Sequence, residues 1–236
     1  MPIIDSIANW FSSPEQAISI LVARLLIATL ILPFHELAHG WMAYKLGDPT
    51  AKWMGRLTLN PIKHFDPIGS VLMMLTGYGW AKGVPINPRN FKNEKKGMAI
   101  TAIAGPLANF IMAFGLMIIQ KLIGIVYILA GGAYWLYIVW RIVDFMVQIN
   151  VMLGVFNLIP FPPLDGFRII SLFIPDRIYY KITQYEQYFL YGFMALLMLT
   201  DVLDPPIQFA TTYILMGMDF LTGFLDIITN LLLGGI

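Results

Sequence analysis

Long apolar runs alternate with short polar segments rich in proline and glycine along the whole chain. A membrane-spanning helix needs about 20 apolar residues, and five runs reach that length, over roughly 14–46, 97–128, 133–159, 186–203 and 207–233. Their ends carry recognisable signals. Ser13 and Gln16 make a capping-box pattern with Pro14 at the first helical position, and Gly47 closes the first run. Lys95, Lys96 and Gly97 precede the second, Pro160 stops the third, and Asp204-Pro205-Pro206 ends the fourth. The run from Ile68 to Gly77 is too short to cross; it reads as a re-entrant or half-inserted element. Residues 79–87, with Val84 and Ile86 between glycines and prolines, read as a short β-strand. The fold class expected is therefore all-α and polytopic, with about five to six transmembrane helices, a re-entrant element and a short strand or hairpin.

At the N-terminus, Ile3, Ile4, Ile7, Trp10 and Phe11 recur at helical spacing. They predict an interfacial amphipathic helix over 1–13, or equally an ordinary cap packed on the bundle. Asp5 stands where a signal peptide would carry positive charge, so no cleaved leader is expected.

Composition sharpens the membrane reading. Of the 236 residues, 58% are hydrophobic and 12% charged, against about 45–50% and about 25% in soluble domains. Mean hydropathy is +0.71. The net charge of +1 gives no reason to expect a nucleic-acid partner, and with no cysteine there can be no disulfide, thiolate ligand or cysteine nucleophile. Any metal must rest on His, Asp, Glu or Asn.

Charge also orients the bundle. Nine of the fifteen basic residues lie between Lys45 and Lys96, and Arg168, Arg177 and Lys181 fall in 160–185, whereas the loop at Gly131-Gly132 has none. The positive-inside rule puts both basic segments in the cytoplasm. The first helix then ends inside, the second leaves, the third returns and the last two form a hairpin. Localisation is expected to be a multi-pass protein of a bacterial plasma membrane.

The polar exception is HELAH, residues 35–39, inside the first apolar run. On a helix His35 and His39 differ by about 40° and one turn, so both imidazoles point one way. That spacing lets two nitrogens hold one Zn²⁺. Glu36 lies about 100° from His35, outside the coordination fan but within reach of a water beside the metal, the position of a general base. The group sits about 12–18 Å below the helix end at Gly47, where ionisable residues are costly and are functional suspects. The bland alternative is that these side chains bond to neighbouring helices and hold nothing.

A hydrolytic zinc site needs a third protein ligand. In FNLIPFPPLDGFRI, Pro160, Pro162 and Pro163 break the helix, and Asp165 follows on the same inner side as His39. Asp165 is the candidate third ligand, with a plain helix cap as the alternative. Arg141 and Asp144, three apart, are expected to pair along their helix.

Four motifs together resemble the site-2 proteases, intramembrane zinc metalloproteases: HELAH at 35–39, GWAKGVPIN at 79–87, AGPLAN at 104–109 and NLIPFPPLDG at 157–166. NPIKHFDPIG at 60–69 resembles the compact bacterial branch. The resemblance runs from about 17 to 175 in the family's order. It implies His35, His39 and Asp165 as ligands of one zinc, Glu36 as catalytic base and Asn157 as a donor to the oxyanion. The alternative for Asn157 is a side chain bonding broken backbone. Gly105, Pro106 and Asn109 would start a helix packed close to the metal. Gly79, Trp80, Ala81, Lys82, Gly83, Val84, Pro85, Ile86 and Asn87 would take up an unwound substrate segment by strand addition, although Gly83 replaces a proline of the family pattern. His64 would be an accessory group: transient ligand, proton carrier or structural hydrogen-bonder.

The chain then reads as one membrane-embedded metalloprotease domain over 1–236, with an interfacial helix at 1–13, a catalytic core at 14–175 and a C-terminal hairpin at 186–233. No PDZ or CBS domain is evident. The substrate expected is a single-pass membrane protein in the lipid bilayer. Competing readings are another membrane zinc hydrolase, or a metal-binding scaffold or transporter without catalysis.

Overall fold

The structure is a computed structural model, and it describes residues 21–76 and 79–234. The expected interfacial helix at 1–13 and the capping box at Ser13 lie outside these residues. The described chain is helical, and no strand occurs among the described residues. The helices are α1 (Leu21–Lys45), α2 (Thr50–Trp53), α3 (Pro61–His64), α4 (Pro67–Thr76), α5 (Glu94–Leu129), α6 (Tyr134–Asn157), α7 (Asp165–Ile170), α8 (Asp176–Gln184), α9 (Glu186–Leu199), α10 (Asp204–Thr222) and α11 (Phe224–Gly234).

Three helices, α1, α5 and α6, are long and apolar enough to cross a bilayer. The chain is an integral membrane protein on this pattern. The expected fourth and fifth spans are shorter than the sequence suggested. Helix α9 has 14 residues, only about 21 Å, because Thr200 turns extended before Pro205 and Pro206 start α10. The two meet at 87° and together could form one broken span. The last run divides at Gly223 into α10 and α11.

Helix α5 is the centre of the molecule, packed against α1, α6 and α7. It begins at Glu94, three residues before the expected start, because Asn93 caps it by accepting a hydrogen bond from Lys96 N at 2.9 Å. Small residues let its neighbours close in. A Cβ on Gly154 of α6 would lie 2.5 Å from the Phe110 ring of α5. The same antiparallel register sets Gln120 opposite Asp144, joined at 2.7 Å, and Gln148 holds the other carboxylate oxygen at 2.9 Å. The expected Arg141–Asp144 pair does not form; the acid is satisfied instead by Gln120 from α5 and by Gln148 one turn along its own helix.

Helix α1 is not uniform. Ile27–Ile31 is a π turn, with the Leu32 N–H bonded to the Ile27 carbonyl. Pro33 follows and has no N–H to give. The wider turn absorbs that loss one turn before His35, as π turns often do near functional residues.

Helix α4 is ten residues long, far short of a crossing. Gly79 comes back beside its start: a Cβ there would lie 2.1 Å from the Gly69 carbonyl and 2.6 Å from the Met73 Cβ. The chain thus doubles back along α4, the path a re-entrant element requires.

Candidate metal centre

The two histidines and the distant aspartate meet. His35 Nε2 and His39 Nε2 lie 2.9 Å apart, and they lie 3.2 and 3.1 Å from Asp165 Oδ2. Both histidines are buried. Among the described residues this is the one group of three or more His, Asp or Glu side chains able to share a metal ion.

The geometry is local in origin. One helical turn stacks His35 over His39 on the α5-facing side of α1. Asp165 arrives from 126 residues further along, on the first turn of α7. Gly166 makes that approach possible, because a Cβ there would lie 2.3 Å from the Leu158 carbonyl and 2.4 Å from that of Ile159. The proline-rich turn is folded flat on the end of α6.

The donors fit a metal. Three ligands at about 2.0–2.1 Å from a tetrahedral ion stand roughly 3.3–3.4 Å apart, close to the separations seen. Three atoms that can each donate a lone pair face one another within reach of a single ion. Burial raises the affinity of the Asp165 carboxyl for its proton, but the facing imidazoles of His39 and His35 outweigh this and hold it below the usual carboxylate range.

Support for the ligands comes from α5. His39 Nδ1 donates to the Thr101 carbonyl at 2.8 Å, which orients the ring so that Nε2 is the nitrogen available to a metal. Gly105 sits against both rings: a Cβ there would lie 2.3 Å from His39 Nε2 and 2.6 Å from His35 Cε1. Pro106 and Asn109, also buried, continue this small-residue contact. Thr101 carried no signal in the sequence, because its main-chain carbonyl does the work.

A cavity of about 560 Å³ opens on the triad. Glu36 and Asn157 line it, with Trp80, Phe156, Phe193 and Leu197 among its apolar walls. Glu36 Oε2 accepts from Val84 N at 2.8 Å. Asn157 Nδ2 donates to the Leu153 carbonyl one turn back at 3.0 Å. At the rim, Arg168 and Glu186 pair at 3.1 Å and tie α9 to α7.

Residues 79–87 run along this cavity but form no strand. Arg56 holds the carbonyls of both Lys82 and Gly83. Successive carbonyls of a pleated strand point opposite ways, so this grip excludes regular pairing there. The segment is fixed elsewhere by Lys82 N to the His64 carbonyl at 2.9 Å and Asn87 N to Asp48 Oδ2 at 2.7 Å. His64 is buried and its Nε2 faces the Thr58 carbonyl at 2.8 Å, apart from the three-donor group.

Comparison with known proteins gives the family of the chain. Residues 117–200 match the model of Peptidase family M50. YwhC of Bacillus subtilis (strain 168), described as a "Putative zinc metalloprotease", is 44% identical over 181 residues, covering 74% of this chain and 78% of that protein.

The chain belongs to peptidase family M50.

MJ0611 of Methanocaldococcus jannaschii, which bears the same description as YwhC, is 28% identical over 169 residues, covering 70% of this chain and 78% of its own. Zinc metalloprotease MJ0392 of that organism is 31% identical over 153 residues, 65% of this chain and 34% of its own. No solved structure matches the chain.

Proposed function

We propose that this M50 peptidase is an intramembrane zinc metalloprotease that cuts single-pass membrane proteins in or near their transmembrane helices. The observation that carries the reading is the meeting of His35, His39 and Asp165 at hydrogen-bonding distance beside Glu36. Zinc is the cofactor, with one ion per chain on His35 Nε2, His39 Nε2 and Asp165. When bound, it polarises the scissile carbonyl and acidifies water.

The remaining steps belong to the chain. Glu36 takes a proton from the attacking water and returns it to the leaving amine. Asn157 lines the cavity and carries an amide able to donate to the developing oxyanion. To do so it must exchange its bond to the Leu153 carbonyl for the substrate. Residues 79–87 border the cavity and take up the unwound segment through free backbone positions. Apolar walls from Phe156, Phe193 and Leu197 suit the side chains of a membrane helix.

Orientation rests on the charge pattern. With the basic segments inside, α1 ends in the cytoplasm and the site lies nearer that face of a bacterial plasma membrane. Helix α4 and the return of Gly79 beside Gly69 support a re-entrant element. Helix α9 closes one side of the cavity with Leu190, Phe193 and Leu197. The core then runs to about 175, with five crossings when α9 and α10–α11 each insert.

The test is cleavage of single-span substrates by the purified full chain in bilayers, with the cut site mapped by mass spectrometry. The expected result is a cut within or beside the span by wild type, and none by Glu36→Gln at unchanged zinc content. Equal cleavage by that variant would remove Glu36 from the chemistry.

A further inference from the structure

In sequence Arg56 is one of the nine basic residues between Lys45 and Lys96. Its place in the fold gives it a more specific part. Its side chain is 7% exposed and forms no ion pair among the described residues. A guanidinium is expensive to bury without a carboxylate. Nη2 donates to the Lys82 carbonyl at 2.6 Å and the Gly83 carbonyl at 3.1 Å, while Nε is buried with no partner. Stability alone would be served better by an apolar side chain or a paired charge.

The two carbonyls explain the arrangement. They are consecutive, and the next N–H along the chain, that of Val84, is the one bonded to Glu36 Oε2. The Gly83 carbonyl and the Val84 N–H belong to one trans peptide and point opposite ways, so drawing that carbonyl to Arg56 turns the N–H toward the carboxylate. An N–H on Oε2 fixes the rotation of the Glu36 carboxylate and leaves Oε1 for water. Gly83 has no side chain to crowd this contact: a Cβ there would stand 3.8 Å from Oε2. The base of Arg56 is itself held, since Arg56 N bonds the Ala51 carbonyl at 2.8 Å and Gly55 turns at φ +64° just before it.

We infer that Arg56 is a positioning residue for peptide hydrolysis: by clamping the Lys82 and Gly83 carbonyls it presents the Val84 N–H to Glu36 and so orients the general base. It acts through the segment that meets substrate, which couples that segment's conformation to the chemistry. The inference rests on the protease reading above, and on Glu36 as its base.

The experiment measures kcat, KM and zinc content for the full chain in bilayers on one single-span substrate. Arg56→Ala should lower kcat by roughly tenfold to a hundredfold, the order of loss expected when a catalytic group is misplaced by about 1 Å. Zinc per chain should stay at the wild-type value. Arg56→Lys, which keeps the charge but not the fork, should recover part of the loss. Val84→Ala retains the N–H, so any loss from its smaller side chain should fall in KM, while Val84→Pro removes the N–H and should lower kcat as Arg56→Ala does. Wild-type kcat in Arg56→Ala, or equal losses of kcat in Val84→Ala and Val84→Pro, would overturn the inference. If Arg56→Ala does not fold, the two Val84 variants decide alone. A wild-type chain that cuts nothing would instead count against the protease reading itself.

Discussion

Gly105 of α5 lies so close to His39 of α1 that a single added methyl group would stand 2.3 Å from Nε2, the nitrogen that faces Asp165. No Cβ fits at that distance, and the rings have nowhere to go, because Nδ1 of His39 is fixed on Thr101. Gly105→Ala should therefore lose zinc and activity together. Gly115, on the same helix with nothing within 4 Å of an added Cβ, is the control. Gly115→Ala should keep both, and zinc analysis of the two purified variants checks this.

Asp48 ties the end of α1 to residues 87–90. It is fully buried and accepts from Thr50 N, Thr50 Oγ1, Asn87 N and Asn90 Nδ2. Burial alone would raise its pKa, but the bonds from Thr50, Asn90 and Asn87 outweigh it and the value is lowered. A carboxylate with a lowered folded pKa stabilises above its unfolded pKa, about 3.9, and that contribution is lost as pH falls through the lower folded value. Asp48→Asn should cost about 2 kcal/mol near neutrality. The gap from wild type should shrink below about pH 4, as read by thermal unfolding in detergent across pH. A gap independent of pH would show that the charge contributes nothing.

The Gln120–Asp144–Gln148 group stands about 28 Å along α5 from Thr101. Gln120→Met removes one of the two amide donors on Asp144. It should lower stability by roughly 1–3 kcal/mol while zinc content and KM stay unchanged. Loss of zinc in this variant would reveal a coupling between the two ends of α5 that the packing does not suggest.

Much of this was legible in the chain itself. Two histidines one turn apart, with a glutamate between, define their own geometry because a helix fixes it. Asp165 was a candidate because prolines mark a broken helix just before it, on the same inner side as His39. Main-chain groups were not legible: the Thr101 carbonyl and the Val84 N–H carry no residue signature. The strand expected at 79–87 followed from Val84 and Ile86, but β propensity reports fit to a pleated surface, and the Arg56 grip on adjacent carbonyls prevents that surface from forming. The shortfall in α9 has a similar origin, since apolar content shows what can enter a membrane but not where backbone bends.

The convergence of two helices and a distant turn on one zinc ion is tested most directly by X-ray absorption at the zinc edge of the purified full chain. Two imidazole nitrogens at about 2.0–2.1 Å and a carboxylate oxygen at about 2.0–2.2 Å are expected, with the carboxylate contribution and most of the zinc lost in Asp165→Asn. An unchanged spectrum and full zinc content in that variant would contradict the site.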